Sequence, residues 1–247
     1  WRPELDQGFD AALDLQGLLK SALPVRAAKA GRKLGYHWQR EGSWLFSQRV
    51  LPDKTSLHIV DQYVDVARAA GGEAHHAEFA LRVDPDSSTR MNDLLRELGL
   101  SGKVVALNAG AGWASKRWPG THFAELADLL RAESVSCLLI GAKGAADLEA
   151  AEEVSRHAKE PVPSALGRTS VKDLVALLDL CCAHVGGDTG STHVMAALGR
   201  PAIGLYSITN PTRSCPYGQI DRCHYEPSGL DAISPRAVFR SVMEALS

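Results

Sequence analysis

The chain has 247 residues, enough for one large domain or two ordinary domains with a well-buried core. Hydrophobic residues make up 45% of the chain and charged residues 23%, a composition that excludes disordered and collagen-like classes. The formal net charge of -2 provides no overall attraction to nucleic acid, so any basic partner site has to be local.

Apolar runs of strand length alternate with segments of helical period, a pattern typical of parallel α/β layers. In the first part, the sequence predicts a strand over 9–15, a helix over 18–30 stopped at Gly31, a helix over 57–72, a strand over 77–83 and a helix over 86–100. Asp86 or Ser87 is predicted to cap the last of these helices. This half is short, and it supplies little more than one sheet edge with its helices.

The alternation is cleaner in the second part. Strands are predicted over 103–110, 135–142, 180–187 and 202–207, the last strand of the chain, and helices over 121–133, 146–158, 170–178, 191–198 and 234–246. Ser170 and Asp173 have the spacing of a capping box. The predicted domains are 1–101 and 102–247, with the carboxyl-terminal helix able to pack back on the first.

The five cysteines, an odd number without a C-x-x-C pair, indicate neither a zinc site nor a redox motif. Reduced thiols in a cytoplasmic protein are the expected state. No segment has the features of a signal peptide, and no apolar run approaches the 18 residues of a membrane span. We therefore expect no integral membrane segment.

The segment "GGDTGSTH", residues 186–193, follows a predicted strand and starts a helix. Three glycines within five residues indicate that the backbone bends sharply or that a ligand approaches it closely. In open α/β sheets, ligands bind at the carboxyl ends of strands. Free amides of residues 189–192 and the positive end of the helix dipole would form an anion site there. Asp188 either caps this helix or accepts hydrogen bonds from sugar hydroxyls, and His193 is either a ligand residue or an ordinary helix residue.

A second loop, "NAGAGWASKRWP" at residues 108–119, also follows a strand. It matches neither the dinucleotide fingerprint nor the P-loop, because Ser115 stands where both patterns require glycine. Gly110 and Gly112 nevertheless free the backbone, and Lys116 is placed to reach an anionic group as a point charge. The alternative is that Lys116 is only a solvated loop lysine.

The block from "ALGRTSVKDLVALL" to "SITNPTRSCPYG" resembles the donor domain of the lipopolysaccharide heptosyltransferases, and "SKRWP" resembles their lysine loop. "ALDLQGLLKSAL" and the segment "RKLGYHWQREGSWLFSQRV" are similar to the acceptor domain, more so to that of heptosyltransferase I than of II. The resemblance implies a GT-B fold, in which two Rossmann-like domains with parallel sheets face a cleft. The first of these domains is expected to be incomplete.

The same resemblance implies an inverting, metal-independent transfer of heptose from ADP-L-glycero-D-manno-heptose to the Kdo of the lipopolysaccharide inner core. No cofactor is expected. Lys116, Asp188 and His193 are the implied catalytic residues. The implied donor-binding residues are Gly110, Lys116, Asp147, Gly187, Asp188, Thr189, Gly190, Ser191 and His193. Glu149 is an alternative to Asp147 as the carboxylate near the adenosine ribose.

The acceptor is implied to be an anionic lipid A and Kdo molecule at the inner face of the cytoplasmic membrane. Residues 15–40 carry six Lys and Arg residues and no Asp or Glu. This stretch is either a solvated helix face or an acceptor site, and the resemblance favours the acceptor site. Gln16, Lys20 and Arg26 are the predicted acceptor contacts. The expected location is cytoplasmic, with peripheral contact to that membrane.

The general base of the family is an aspartate in a glycine-containing loop after the first strand, and this sequence has no matching segment. Asp14 ends a strand but matches a different family position, so it is not assigned as the base. The loop "YSITNP" also differs from the commoner family form at Ser207 and Asn210. A catalytically silent ADP-sugar-binding fragment is therefore the alternative function. A nicotinamide-dependent oxidoreductase is disfavoured, because no complete fingerprint follows a strand.

Overall fold

A computed structural model of the protein describes residues 2–110 and 117–247. The chain forms two compact units, Trp1–Glu78 and Phe79–Ser247. The units divide before the helix at 85–97, whereas the sequence predicts a boundary at 101/102. The reason lies in packing, because this helix contributes Met91, Leu94 and Leu95 to a core of the second unit.

The first unit is built on a three-stranded parallel sheet with the strand order β1-β2-β3. Its elements are α1 (Arg2–Leu5), β1 (Phe9–Asp14), α2 (Leu19–Ala27), β2 (Ala30–Tyr36), β3 (Gln48–Val50) and α3 (Ile59–Ala69), with a short 3-10 turn at Ser43–Leu45. The predicted elements β1, α2 and α3 are confirmed.

Two predictions for the first part are wrong. The helix does not continue to Gly31, because Ala30–Tyr36 forms β2 and pairs with β1 along its length. Residues 77–83, all of which the structure describes, form no strand, although their apolar and polar residues alternate. Alternation shows that one side of a segment is suited to burial, but a strand also needs a pairing partner.

The second unit has a five-stranded parallel sheet with the order β5-β4-β6-β7-β8. Its strands are β4 (Val104–Asn108), β5 (Ser136–Leu139), β6 (Ala183–Gly186), β7 (Ala202–Tyr206) and β8 (Cys223–Tyr225). Its helices are α4 (Pro85–Glu97), α5 (Gly120–Ala132), α6 (Ala145–His157), α7 (Val171–Leu180), α8 (Gly190–Ala197), α9 (Pro211–Ser214) and α10 (Pro235–Leu246). The strand β7 is not the last one, because β8 pairs with it at the sheet edge.

Helices cover both faces of the second sheet, which explains its nearly continuous apolar strands. Side chains of β4 alternate between the two faces. Val105 and Leu107 join one core with residues of α5, α6 and α10, whereas Val104 and Ala106 join the other core with residues of α4, α7 and α8. The carboxyl-terminal helix α10 thus packs within the second unit, where it contacts α5, β6 and β7.

Helix starts follow local chemistry. Asp84, not Asp86 or Ser87, caps α4, because its carboxylate accepts the Ser87 amide at 3.0 Å and Pro85 occupies the first turn. The predicted capping box of α7 is confirmed. Ser170 Oγ accepts the Asp173 amide at 3.2 Å, and Asp173 Oδ2 accepts the Ser170 amide at 3.1 Å.

We expect Asp173 to make the stability of the protein depend on acid pH. Hydrogen bonds from the Ser170 hydroxyl and the Arg90 guanidinium hold the pKa of Asp173 well below its ordinary value of 3.8. The charged form is therefore favoured in the folded state, and its stabilisation is complete above that ordinary value and decreases as the pH falls below it. Thermal unfolding from pH 7 to pH 3 should show a smaller loss of stability in Asp173→Asn than in the native chain. Equal pH dependence of the two proteins would contradict this assignment.

Candidate active site

The candidate site lies where the strand order of the second sheet reverses. From β4 the chain goes to β5 on one side, and it then returns to β6 on the other side. The loops after β4 and β6 therefore diverge at the carboxyl edge of the sheet and leave a crevice between them. Both loops singled out in the sequence, 108–119 and 186–193, start at this edge.

The glycine loop connects β6 to α8 without a side-chain cap. Thr189 is the N-cap residue, with extended backbone angles, and its side chain does not accept a hydrogen bond from a backbone amide of the first turn. The first amides of α8 thus have no intrahelical partner, and they add to the positive end of the helix dipole. A Cβ at Gly190 would meet no described residue within 4 Å, so residues 2–110 and 117–247 leave room for a ligand beside the helix start.

A hydrogen-bond network below the loop fixes its hydroxyl groups. Asn108 Nδ2 donates to Thr189 Oγ1 at 3.2 Å and to Ser191 Oγ at 2.8 Å. Ser191 Oγ lies 3.1 Å from Thr189 Oγ1, which lies 3.3 Å from Thr192 Oγ1. Thr192 donates to the Gly187 carbonyl at 2.7 Å. The network holds the start of α8 against the end of β4.

His184 completes this network from the core. It is fully buried, and its Nε2 lies 3.0 Å from Ser191 Oγ. Burial, with a smaller effect of His193, lowers the pKa of His184 to about 3, so the ring is neutral at physiological pH. A proton on Nε2 would be donated to Ser191, which then donates to Thr189. With the proton on Nε2, Nδ1 is unprotonated and has no hydrogen to donate. This tautomer agrees with the lack of a partner for Nδ1 among the described residues.

Gly186 has a packing role beside His184. A Cβ at this position would lie 2.8 Å from His184 Cε1 and 3.2 Å from the Asn108 Cβ. Such contacts are too close for a side chain. The first glycine of the loop is thus required by the buried histidine rather than by a ligand.

Asp188 points toward the loop after β7. Its Oδ1 lies 3.2 Å from His193 Nε2, and its Oδ2 accepts a hydrogen bond from Thr209 at 3.4 Å. Asp188 also lines a small pocket with residues of that loop, among them Ser207 and Ile208. Since Thr189 is the N-cap, the interpretation of Asp188 as the helix cap is wrong.

Asp147 stands at the start of α6, close to the loop after β4. Its Oδ2 accepts the Ala142 amide at 2.9 Å, and a Cβ added at Gly110 would overlap its carboxylate. Glu149, the alternative to Asp147, has a side chain that is 78% exposed and pairs with Arg117 at 3.3 Å. Of the two carboxylates, Asp147 is the one that lines the crevice.

The crevice contains a cavity of about 370 Å³, within the size range of small-molecule sites. Its lining contains both polar and apolar side chains. The polar lining includes Asn108, Asp147, Thr169, Ser170, Thr189 and Ser191, and the apolar lining includes Ile140, Val171 and Leu174. We call this cavity the donor cleft.

A sequence profile for glycosyltransferase family 9, described as heptosyltransferase, matches residues 2–229. The chain belongs to glycosyltransferase family 9. Its family is the one that the glycine loop and the lysine loop predict.

Individual family 9 proteins agree with this assignment. The lipopolysaccharide core heptosyltransferase OpsX of Haemophilus influenzae is 26% identical over 223 residues, which cover 90% of this chain and 63% of the relative. A solved family 9 glycosyl transferase of Veillonella parvula superposes with a TM-score of 0.82 at 20% identity, covering 96% of this chain and 73% of that one. For the E. coli ADP-heptose lps heptosyltransferase II, the TM-score is 0.75 at 25% identity, with coverages of 99% and 78%.

The predicted GT-B architecture is thus confirmed by solved family 9 structures. The chain spans about three-fifths of the length of the curated relatives that it matches.

The structure of this family 9 chain places part of the predicted donor set together. Gly110, Asp147, Thr189, Gly190 and Ser191 line the donor cleft. Gly187, Asp188 and His193 do not line it, although Gly187 and His193 are tied to the loop through Thr192 and Asp188. Lys116 and Gly112 lie outside the described residues.

Sequence reasoning missed several cleft residues. Asn108 could have been identified from the sequence, because it is a polar residue at the carboxyl end of a buried strand, where ligands bind in open α/β sheets. Ser170, Val171 and Leu174 could not be identified from the sequence, since only the tertiary packing of α7, which contacts α4 and α8, brings them to the cleft.

The predicted acceptor residues lie in the first unit. Gln16 and Lys20 are exposed, and the Arg26 guanidinium stacks over the Phe46 ring at 5.2 Å. Asp14 is buried, and its Oδ1 accepts the amides of Gln16 and Gly17 at 3.1 and 2.9 Å. It therefore shapes the turn that carries Gln16.

Within 2–110 and 117–247, no group of three or more His, Cys, Asp or Glu side chains is arranged to hold a metal ion. In the same residues, no helix combines the length and apolar character needed to cross a bilayer. All five cysteines are free thiols.

Proposed function

We propose that this family 9 chain binds ADP-heptose in the donor cleft and transfers the heptose to the Kdo of a lipopolysaccharide inner-core acceptor. The observation that carries the proposal is the uncapped start of α8, which opens into a cleft lined by Asp147 and Asn108. Support for the donor comes from the relatives, since a similar solved protein is described as an ADP-heptose heptosyltransferase.

The proposed reaction is an inverting displacement. An acceptor hydroxyl loses its proton to a carboxylate base and attacks the anomeric carbon from the face opposite the diphosphate. The bond between that carbon and the phosphate oxygen breaks, and ADP leaves with the negative charge. The amides at the start of α8 would stabilise this charge as it develops, together with the Lys116 ammonium, so no metal ion is required in the proposal. The base is not assigned to a residue of this chain.

Within the donor, we assign the diphosphate to the amides of Thr189, Gly190 and Ser191. Asp147 would accept hydrogen bonds from the adenosine ribose, because its Oδ1 faces Gly110 while its Oδ2 is held by Ala142. Asp188 and His193 would contact the activated sugar as a pair, 3.2 Å apart.

We expect ADP to bind this chain, with an enthalpy change measurable by titration calorimetry. Asn108→Ala should weaken ADP about tenfold, or about 1.4 kcal/mol, because it releases the Thr189 and Ser191 hydroxyls. Asn92→Ala is the matched control, since Asn92 is exposed and donates to the Ser88 carbonyl of its own helix, α4. The absence of ADP binding, or equal affinities of the two variants, would contradict the assigned site. NAD, titrated in parallel, should not bind.

The alternative is a silent ADP-sugar-binding fragment. It is favoured by the position of the described cleft-lining residues, all of which lie within residues 79–247. A transferase assay with ADP-heptose and a Kdo-lipid A acceptor separates the two functions. Binding with turnover supports the transferase, whereas binding without turnover supports the fragment.

A further inference from the structure

The hydroxyl groups below the glycine loop can be hydrogen-bonded in only one direction. Thr192 donates its hydroxyl proton to the Gly187 carbonyl at 2.7 Å, so in its 3.3 Å contact with Thr189 it has to accept. Thr189 then has no proton left for Ser191, and Ser191 donates across the 3.1 Å between the two hydroxyl oxygens. Because the Ser191 proton is used in this way, His184 Nε2 is the donor in its 3.0 Å contact with Ser191 Oγ.

Two separate observations therefore give the same tautomer of His184. The hydroxyl groups require a proton on Nε2, and Nδ1 is buried with no partner among the described residues that could accept a proton from it. The side chain is fully buried, and its ring is neutral at physiological pH. The direction of the whole network is thus set by one buried histidine.

The direction of these bonds explains why Thr189 does not cap α8. A hydroxyl group has one proton and two lone pairs. Thr189 Oγ1 donates its proton to Thr192. It accepts protons from Ser191 at 3.1 Å and from Asn108 Nδ2 at 3.2 Å. No lone pair remains for a backbone amide of the first turn, although threonine at an N-cap ordinarily accepts one.

We propose that His184 is a positioning residue for the donor diphosphate. By donating to Ser191, it directs the Ser191 proton onto Thr189 and so prevents Thr189 from capping its own helix. The amides at the start of α8 then stay available to phosphate oxygens. His184 acts through Ser191, since it is not among the residues that line the donor cleft. The inference rests on the proposed function, which assigns these amides to the diphosphate.

A second histidine of the same sheet provides a matched control. His224 lies on β8, and its Nε2 is 3.0 Å from Ser241 Oγ, so it makes the same type of contact at the same distance. Neither His224 nor Ser241 is among the residues that line the donor cleft. Replacement of His224 removes a histidine–serine hydrogen bond without changing the network below the glycine loop.

The test measures ADP affinity by titration calorimetry for the native chain and its variants. In His184→Leu the Ser191 proton is no longer directed at Thr189, so the threonine can cap α8 and compete with the diphosphate. We expect this variant to bind ADP about tenfold more weakly. His224→Leu should bind ADP like the native chain. His184→Gln keeps an N–H donor for Ser191, and its affinity should stay within about threefold of the native value.

Ser191→Ala breaks the same link from the side of the loop and keeps the backbone amide of this residue. It should weaken ADP about as much as His184→Leu does. The double variant His184→Leu/Ser191→Ala should bind no more weakly than either single variant, because both changes remove one link. Circular dichroism shows which variants are folded, and Ser191→Ala decides the matter if His184→Leu does not fold.

Nitrogen-15 NMR of the histidine-labelled native chain reports the tautomer without any nucleotide. The ring signals of His184 are assigned by their absence from the spectrum of His184→Gln. They should show a proton on Nε2 and none on Nδ1. A proton on Nδ1 would overturn the proposal, because Ser191 would then donate to His184 and not to Thr189.

Two further results would also overturn the proposal while leaving the donor cleft assigned. One is native ADP affinity in the folded variants His184→Leu or Ser191→Ala. The other is a double variant whose loss of affinity is the sum of the two single losses. Absence of ADP binding by the native chain is a different result, because it would contradict the proposed function together with this inference.

Discussion

Replacement of Gly110 by valine should abolish ADP binding. The added Cβ would overlap the Asp147 carboxylate, and the branched methyl groups would fill the floor of the donor cleft. Asp147 would have to rotate away from the Ala142 amide, and the proposed ribose acceptor would be lost. We expect affinity to fall at least about 100-fold, or about 2.7 kcal/mol, measured by calorimetry.

Gly144→Val is the control for this change. Gly144 lies three residues before Asp147, it is not among the cleft-lining residues, and a Cβ there would meet no described residue within 4 Å. Its ADP affinity should stay within about twofold of the native value. Retained binding in Gly110→Val, with circular dichroism unchanged, would show that the nucleotide lies elsewhere.

Replacement of Lys116 by alanine should slow transfer. If the lysine contacts the leaving phosphate, its loss removes about 2 to 4 kcal/mol of transition-state stabilisation, which corresponds to about 30- to 1000-fold in kcat/KM. The assay uses ADP-heptose and Kdo-lipid A, with ADP affinity measured on the same preparation. An effect confined to kcat would place the ammonium on charge that develops only in the transition state.

The matched control for Lys116→Ala is Lys159→Ala, which removes an exposed lysine of the same unit near the end of α6. Its activity should equal that of the native chain. Unchanged transfer in Lys116→Ala would refute the phosphate role and leave the lysine as a solvated loop residue.

The second half of the fold could be predicted because its strands are buried on both faces. Val104–Asn108 and Ala202–Tyr206 are short apolar runs followed by loops, and the amphipathic helices between them have their own period. The sequence of β2, in contrast, is rich in glycine and basic residues, and only its last three residues are buried. Its identity as a strand depends on pairing with β1, which no local pattern reveals.

The candidate site could also be predicted only in part. The glycine loop predicts an anion site. A Cβ at Gly190 would meet no described residue within 4 Å, and such a site needs this space for its ligand. Gly186 is required for a different reason, because it packs against the buried side chain of His184. No pattern in the sequence identifies His184 as a core residue. Nor could the sequence show that Asp188 turns toward Thr209, since the loop after β7 becomes its neighbour only through the order of the sheet.

Every described residue that lines the donor cleft belongs to Phe79–Ser247. In the proposed function, recognition of the nucleotide would therefore be encoded in one contiguous stretch of chain. Substitutions confined to the other stretch would then change the proposed recipient of the sugar and leave the proposed donor site intact.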